Sequence, residues 1–352
     1  MLSGEGCHVR FTNTSFHFCT LVVRRGAVVE LQGTRFESGL SDGSGICIVA
    51  SGEGTRVLAT DCEVTGGYQA VLAVSGATLD ATRLVCNGAP VNGVEARGPG
   101  TKISLVDSTV DGCMYYACML AHGARGVLQN CVLQGSALRD GLFVSGQGTY
   151  ASVSVCQMRH NANSGARVAG SAVLKVVDSV SQHNKKTGFR AQDGGHLTIQ
   201  ESYSERDKCA CTAEGASSSV DSERFHVSHT TLGFSVLQGA CMKLHNCSVK
   251  TCDGRGVYVH AGKISMSGGK VEGCTQVAVV VRGGGEAALE GVEANENAGG
   301  AFQCSNAGSL MCLTKCRTTD RRPYKKSSNG TIITEACDPD VSPESSSNTG
   351  LL

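Results

Sequence analysis

Apolar and polar residues alternate along this chain in short bursts. One kind of burst, such as "ISLVDSTV" (103–110) or "MKLHNCSV" (242–249), surrounds a small or apolar anchor. A second follows about ten residues later, as in "GLFVSG" (141–146), "GFSVLQG" (233–239) and "GVYVHAG" (256–262). Alternation over three to six residues marks a strand with one buried face. A glycine recurs near the end of the second burst, at 76, 98, 123, 146, 170, 194, 215, 239 and 262. Glycine reaches positive φ without a steric cost and so supplies tight turns. No window carries the apolar spacing of a helix.

The bursts are periodic. Equivalent anchors fall at Thr14, Thr34, Cys62, Leu84, Ser108, Cys131, Cys156, Ser179, Ser202, Phe225, Cys247, Gly269, Val292 and Cys316. Most steps are 22 to 25 residues, and the first two, 20 and 28, are irregular. Two or three short strands in each such interval describe one coil of a β-solenoid, whose successive coils pair in parallel. The expectation is an all-β chain of about 14 coils over residues 1–316, a rod on the order of 65 Å long. A leucine-rich repeat shares the period but needs Leu where this chain has Val, Ala, Cys, Ser and Thr, and it needs room for a return segment.

At the far end, "GTIITEACDPD" (330–340) is expected to cap the last coil, and "VSPESSSNTGLL" (341–352) to be a disordered polar tail. The first coil starts almost at once and has no amphipathic capping helix. Further coils in a longer chain, or end-to-end stacking, are therefore expected.

Composition adds limits. There are 46 Gly, 5 Pro and no Trp among 352 residues, as suits repeated turns around small side chains. Lys plus Arg and Asp plus Glu number 31 each, so no bulk positive charge points to nucleic acid. No apolar run reaches the length of a membrane span. The opening "MLSGEGCHVRF" lacks a charged head followed by an apolar core, so a cytoplasmic chain is expected. The 19 Cys then read as compact buried hydrophobes rather than a disulfide framework. Paired zinc-type Cys spacings are absent, and neither a metal nor a cofactor is expected.

With these repeats, residues 7 to 316 resemble the right-handed parallel β-helix superfamily. It includes pectate lyases, polygalacturonases and the carbohydrate-associated β-helix repeats of some F-box proteins. The resemblance implies a right-handed coil and says little of function, because this fold hosts enzymes and binding scaffolds alike. The polygalacturonase motifs N-T-D, D-D, G-H-G and R-I-K do not appear as a set. The pectate lyase signature R-x-P-x-x-R is approached only by "RRPYKK" (321–326), and an epimerase-like D-P-H-D only by "DPD" (338–340). Both fall outside the clear coils. No catalytic residue is assigned.

Two columns remain as candidate surfaces. Five residues after each anchor comes a turn position, occupied by Cys113, Ser136, Asn161, Asn184, Asp207, Thr230, Cys252, Cys274 and Asn297. Stacked amide and hydroxyl side chains there would satisfy backbone groups at the bend. One residue earlier stand His160, His183, Arg206 and His229, a row suited to a sugar or anion contact. An Arg within that row argues against a cation site.

The outward residues of the second strand run Cys47, Leu72, Glu95, Met119, Phe143, Arg167, Arg190, Thr212, Ser235, Tyr258 and Val280. Arg167 and Arg190 could hold a carboxylate-bearing chain, and Phe143 and Tyr258 could stack on sugar rings. The expected function is a non-enzymatic binding or scaffold module, with a polysaccharide or protein along one solenoid face. The alternative is a polysaccharide lyase, glycoside hydrolase or epimerase with an unrecognised site.

Overall fold

The computed structural model describes residues 1–38, 45–327 and 329–337. Among these residues there is no helix, and the strands form three parallel sheets of 15, 15 and 14 strands. Each coil gives one strand to each sheet in turn. The first sheet runs from Leu2–Ser3 to Tyr324–Ser327, the second from His8–Thr12 to Thr331–Glu335, and the third from Ser15–His17 to Arg317–Thr318. Neighbours in every sheet are successive coils, so the chain is a parallel β-solenoid. At about 4.8 Å per rung, the rod is roughly 65–70 Å long.

Register follows the period read from the sequence. Val173–Val177 pairs residue for residue with His196–Gln200, 23 positions later. Alternate side chains then stack inward, and they are the small and branched ones. Leu174, Val176, Leu197, Ile199, Val220 and Ala151 are all almost fully buried, forming one core along the axis. Each buried Val or Leu contributes about 1.5–3 kcal/mol relative to exposure. All 19 cysteines are free thiols, and most are buried. The parallel pairing continues past residue 316, where the repeat in the sequence fades. Phe302–Ser305 pairs with Tyr324–Ser327, and Leu310–Thr314 with Thr331–Glu335. The segment from 331 to 335 is thus another rung rather than a lid across the last one. The tail expected at 341–352 lies outside the described residues.

Three bends in each coil use left-handed backbone, often without glycine, as at Val155, His160 and Ser171. His160, His183, Arg206 and His229 have φ of 55°, 55°, 56° and 53°. His, Asn and Asp are the non-glycine residues best represented in that region. The row of His160, His183, Arg206 and His229 is therefore the bend itself. After the first sheet, Gly146 turns at φ 91°, as its position in the repeat requires, whereas at 262 the left-handed residue is Ala261 instead.

Close approach explains another glycine column at the entry to the first sheet. A Cβ on Gly188 would stand 2.6 Å from Asp207 Oδ2, 2.7 Å from the Ala210 carbonyl oxygen and 2.8 Å from Ser204 Oγ. We expect Gly188→Ala to lower stability by about 1–3 kcal/mol, the usual cost of overpacking. Amide hydrogen exchange at residues 204–210 would measure it, and unchanged protection there would show that the neighbouring rung yields without strain.

Candidate binding surfaces

The bend after the third sheet is built on a ladder of amides. Asn184 Oδ1 accepts from the Asn161 backbone N–H at 3.0 Å and from Asn161 Nδ2 at 2.9 Å. Asn184 Nδ2 donates to the Met158 carbonyl at 3.0 Å, Ser181 Oγ at 2.9 Å and Asp207 Oδ1 at 3.0 Å. Asp207 closes this run, accepting from the Asn184 backbone N–H at 2.7 Å and from Ser181 and Ser204 hydroxyls at 2.8 and 2.7 Å. Burial pushes the Asp207 carboxyl above its usual range, against the pull of these donors. Asn297 and Asp320 repeat the arrangement further along the rod. These residues hold the bend and face the interior.

The residues just outside the ladder face solvent. His160 and His183 stack with ring centroids 5.1 Å apart and planes 9° from parallel. Next in the row come Arg206 and His229, both exposed. Lys185 and Lys208, 23 residues apart, stand at equivalent places on the other side of the ladder, with Lys186 beside the first. His183, Lys185, Arg206, Lys208, His229 and Asp253 line a recess of about 420 Å³. The acids nearest these cations are Glu205, 3.8 Å from Arg206 and 3.9 Å from His229, and Asp253 on the rim. Among the described residues, the ammonium groups of Lys185, Lys186 and Lys208 have no ion pair.

The outward face of the first sheet is different. Its column is the expected one from Leu72 onward, since Leu72 pairs with Glu95, then Met119, Phe143, Arg167, Arg190, Thr212, Ser235, Tyr258 and Val280 follow. The residue before Leu72 in this column is Val49, itself paired with Val22, and not Cys47, which is buried. The irregular interval between the second and third anchors shifts that position.

Its charges are occupied. Arg167 Nε donates to Asp140 Oδ2 at 2.7 Å, and Nη2 to the Tyr116 hydroxyl at 3.2 Å. Its guanidinium lies 4.0 Å from the Phe143 ring centroid, and that ring stacks on Tyr116 at 4.9 Å. Asp140 Oδ1 accepts from Asn163 Nδ2 at 2.7 Å and from the Ser164 backbone at 2.9 Å. Arg190 donates to Glu214. Glu95 is fully buried and accepts from Gln69, from Asn92 at 2.7 Å and from Arg97. Tyr258 has guanidinium groups of Arg282 and Arg255 at 4.9 and 5.2 Å from its ring.

The sequence-derived residues thus fall on two separate surfaces, Phe143, Arg167, Arg190 and Tyr258 on the sheet, His160 and His183 on the bend. Asp140, Tyr116 and Asn92 were missed although they stand at equivalent places, each two residues before the paired Leu142, Cys118 and Val94, because the residue type there changes from coil to coil. Lys185 and Lys208 were missed although their 23-residue spacing repeats that of the His row.

The chemistry these groups can perform is limited. Each carboxylate bonded to the sheet face, Glu95, Asp140 and Glu214, is held by donors of the same chain. Burial pushes the Cys47 and Cys113 thiols up to about 11, so they stay protonated. Cys131 is shifted the other way by the thiol of Cys156, but both are buried beyond the reach of a substrate. Among the described residues, no group of three His, Cys, Asp or Glu side chains is placed to hold a metal ion. No helix among them is long and apolar enough to cross a membrane.

Residues 92–232 match the family described as right handed beta helix region. No curated protein matches the sequence. Among solved structures, the catalytic unit of a GH87 α-1,3-glucanase from Streptomyces thermodiastaticus is similar, at 13% identity and a TM-score of 0.52. The alignment covers 89% of this chain and 64% of the glucanase unit. Tailspike protein 3 of bacteriophage CBA120 is similar at 9% identity and a TM-score of 0.51, over 95% of this chain and 57% of the tailspike. The chain spans less than two thirds of either, and at these identities the likeness is one of fold.

Proposed function

We propose that this right-handed parallel β-helix protein is a non-enzymatic binding module that takes a glycan along its rod. The observation that carries the reading is the state of the acids on the sheet face. Glycoside hydrolysis needs two carboxyl groups facing one bond, one to donate a proton and one to act as nucleophile or base. Asp140 spends both oxygens on Asn163, Ser164 and Arg167, and Glu95 spends both on Gln69, Asn92 and Arg97. What remains accessible is a repeating set of hydrogen-bonding and cationic side chains at rung intervals, which suits a polymer with a repeat of its own. The glucanase among the fold neighbours makes α-1,3-glucan a reasonable first neutral probe.

The test is a panel of neutral and acidic polysaccharides, with binding and product formation read on the same samples. The expected result is retention of at least one glycan with no new reducing ends and no unsaturated products. Turnover of any bound glycan would replace this reading by the lyase, hydrolase or epimerase alternative. Silence across the panel would remove glycans and leave a protein scaffold.

A further inference from the structure

We infer that the bend carrying His160, His183, Arg206 and His229 is the glycan site, and that its ligand is an acidic polysaccharide lying along the rod axis. The inference rests on the glycan-binding reading and adds where the polymer sits and what charge it carries.

The argument begins with charge. The whole chain is formally neutral, with 31 basic and 31 acidic residues. At several places along the rod opposite charges meet across rungs, as in Arg56 with Asp80, Lys263 with Glu286 and Lys270 with Glu293. At the bend the cations lining the recess outnumber its acids. Lys185, Lys186 and Lys208 stand unpaired on exposed positions, while Arg206 and His229 share the single carboxylate of Glu205 at 3.8 and 3.9 Å. Asp207, the acid closest in sequence, is turned inward and consumed by the amide ladder. Asp253 is the remaining acid of the recess.

Geometry selects the ligand. Equivalent cations on successive coils repeat at about 4.8 Å, because the backbone hydrogen bonds between rungs set that spacing. A polymer bearing one carboxylate on each sugar offers charge at a comparable interval, so successive groups meet successive rungs. A lone phosphate or sulfate would reach no more than one or two neighbouring rungs. The recess has no Phe, Tyr or Trp among its lining residues, and single-stranded nucleic acid is normally held by stacking on such rings. On the sheet face, by contrast, Arg167 and Arg190 are neutralised by Asp140 and Glu214, so that face offers no net positive charge to a polyanion.

The probe is polygalacturonate, titrated against the full chain at low salt, beside α-1,3-glucan and single-stranded DNA of similar length. Polygalacturonate is expected to bind and to weaken steeply as salt rises. Lys185→Glu with Lys208→Glu is expected to weaken it about tenfold or more, because two attractive contacts become repulsive. Lys175→Glu with Lys243→Glu makes the same charge change on the second sheet and is expected to alter affinity by less than about twofold. Both lysine pairs are exposed, and circular dichroism is to be recorded on each variant to check that it keeps its fold. Equal weakening by the two pairs, no weakening by the first, or equal binding of DNA would overturn the inference. Binding of the neutral glucan alone would also overturn it while leaving the glycan-binding reading intact. Failure of every glycan would remove both.

Discussion

Asn184→Ala is expected to destabilise the middle of the rod by about 3–6 kcal/mol. The side chain is buried and makes five hydrogen bonds. Truncation leaves the Asn161 backbone N–H and the Met158 carbonyl without their side-chain partners, and strips donors or acceptors from Asn161, Ser181 and Asp207. Each buried polar group left unpaired costs about 1–3 kcal/mol, and two or three of them give the stated range. A solenoid's coils need not melt as one body, so a single global transition is a poor readout. Amide hydrogen exchange is better. Protection should fall first at residues 158–164 and 181–187, and much less near either end. A loss below about 1 kcal/mol would mean that water substitutes for the amide.

Arg167→Ala is the second large effect, expected at about 3–5 kcal/mol, because it strands a carboxylate in a buried place. Asp140 is fully buried and the Arg167 side chain is only 10% exposed. The discriminating variant is Asp140→Asn with Arg167→Met. It removes both charges, and the asparagine oxygen still accepts from Asn163 and the Ser164 backbone. That double variant is expected to regain most of the loss, since replacing a buried ion pair by neutral groups is often close to neutral. If it is as unstable as Arg167→Ala, the stacking of the guanidinium on Phe143 matters more than its charge. Either way, Arg167 holds the sheet face in shape through Asp140, Tyr116 and Phe143.

The repeat was legible because each coil repeats the same physical problem. Cys156, Ser179 and Ser202 recur because a small polar group at the second-to-third-sheet bend can accept from the rung before, while Leu84, Phe225 and Val292 fill the same position with apolar bulk. Cys156 Sγ accepts from the Cys131 N–H at 3.3 Å, Ser179 Oγ from Cys156 at 3.1 Å and Ser202 Oγ from Ser179 at 3.1 Å. Asn161, Asn184 and Asp207 were recognisable as a ladder for the same reason. Alternation also gave the direction of the side chains at Phe143, Arg167 and Arg190. It could not give their surroundings. Asp140 lies 27 residues before Arg167, at a place held by Asn92 and Tyr116 on earlier coils, so the period marks the position but not the ion pair. Where the period itself stumbles, near residues 34 to 62, the outward column was entered one strand position away, at Cys47 instead of Val49. Beyond residue 316 the anchors fade, and the rungs at 324–327 and 331–335 became visible only through their backbone pairing.

The stacking of parallel rungs has a mechanical consequence. Hydrogen bonds between coils point along the axis, while the strands lie across it. A pull on the two ends of the rod therefore loads one rung at a time, and the bonds part in succession like the teeth of a zipper. Each rung that peels away releases about 70–80 Å of slack chain. A pull across the rod loads the strands in shear, so that all the bonds of a rung must fail together. The same molecule is compliant when tugged lengthwise and stiff when tugged sideways. The sharpest step in a lengthwise trace belongs where the amide ladder through Asn161, Asn184 and Asp207 ties consecutive coils together.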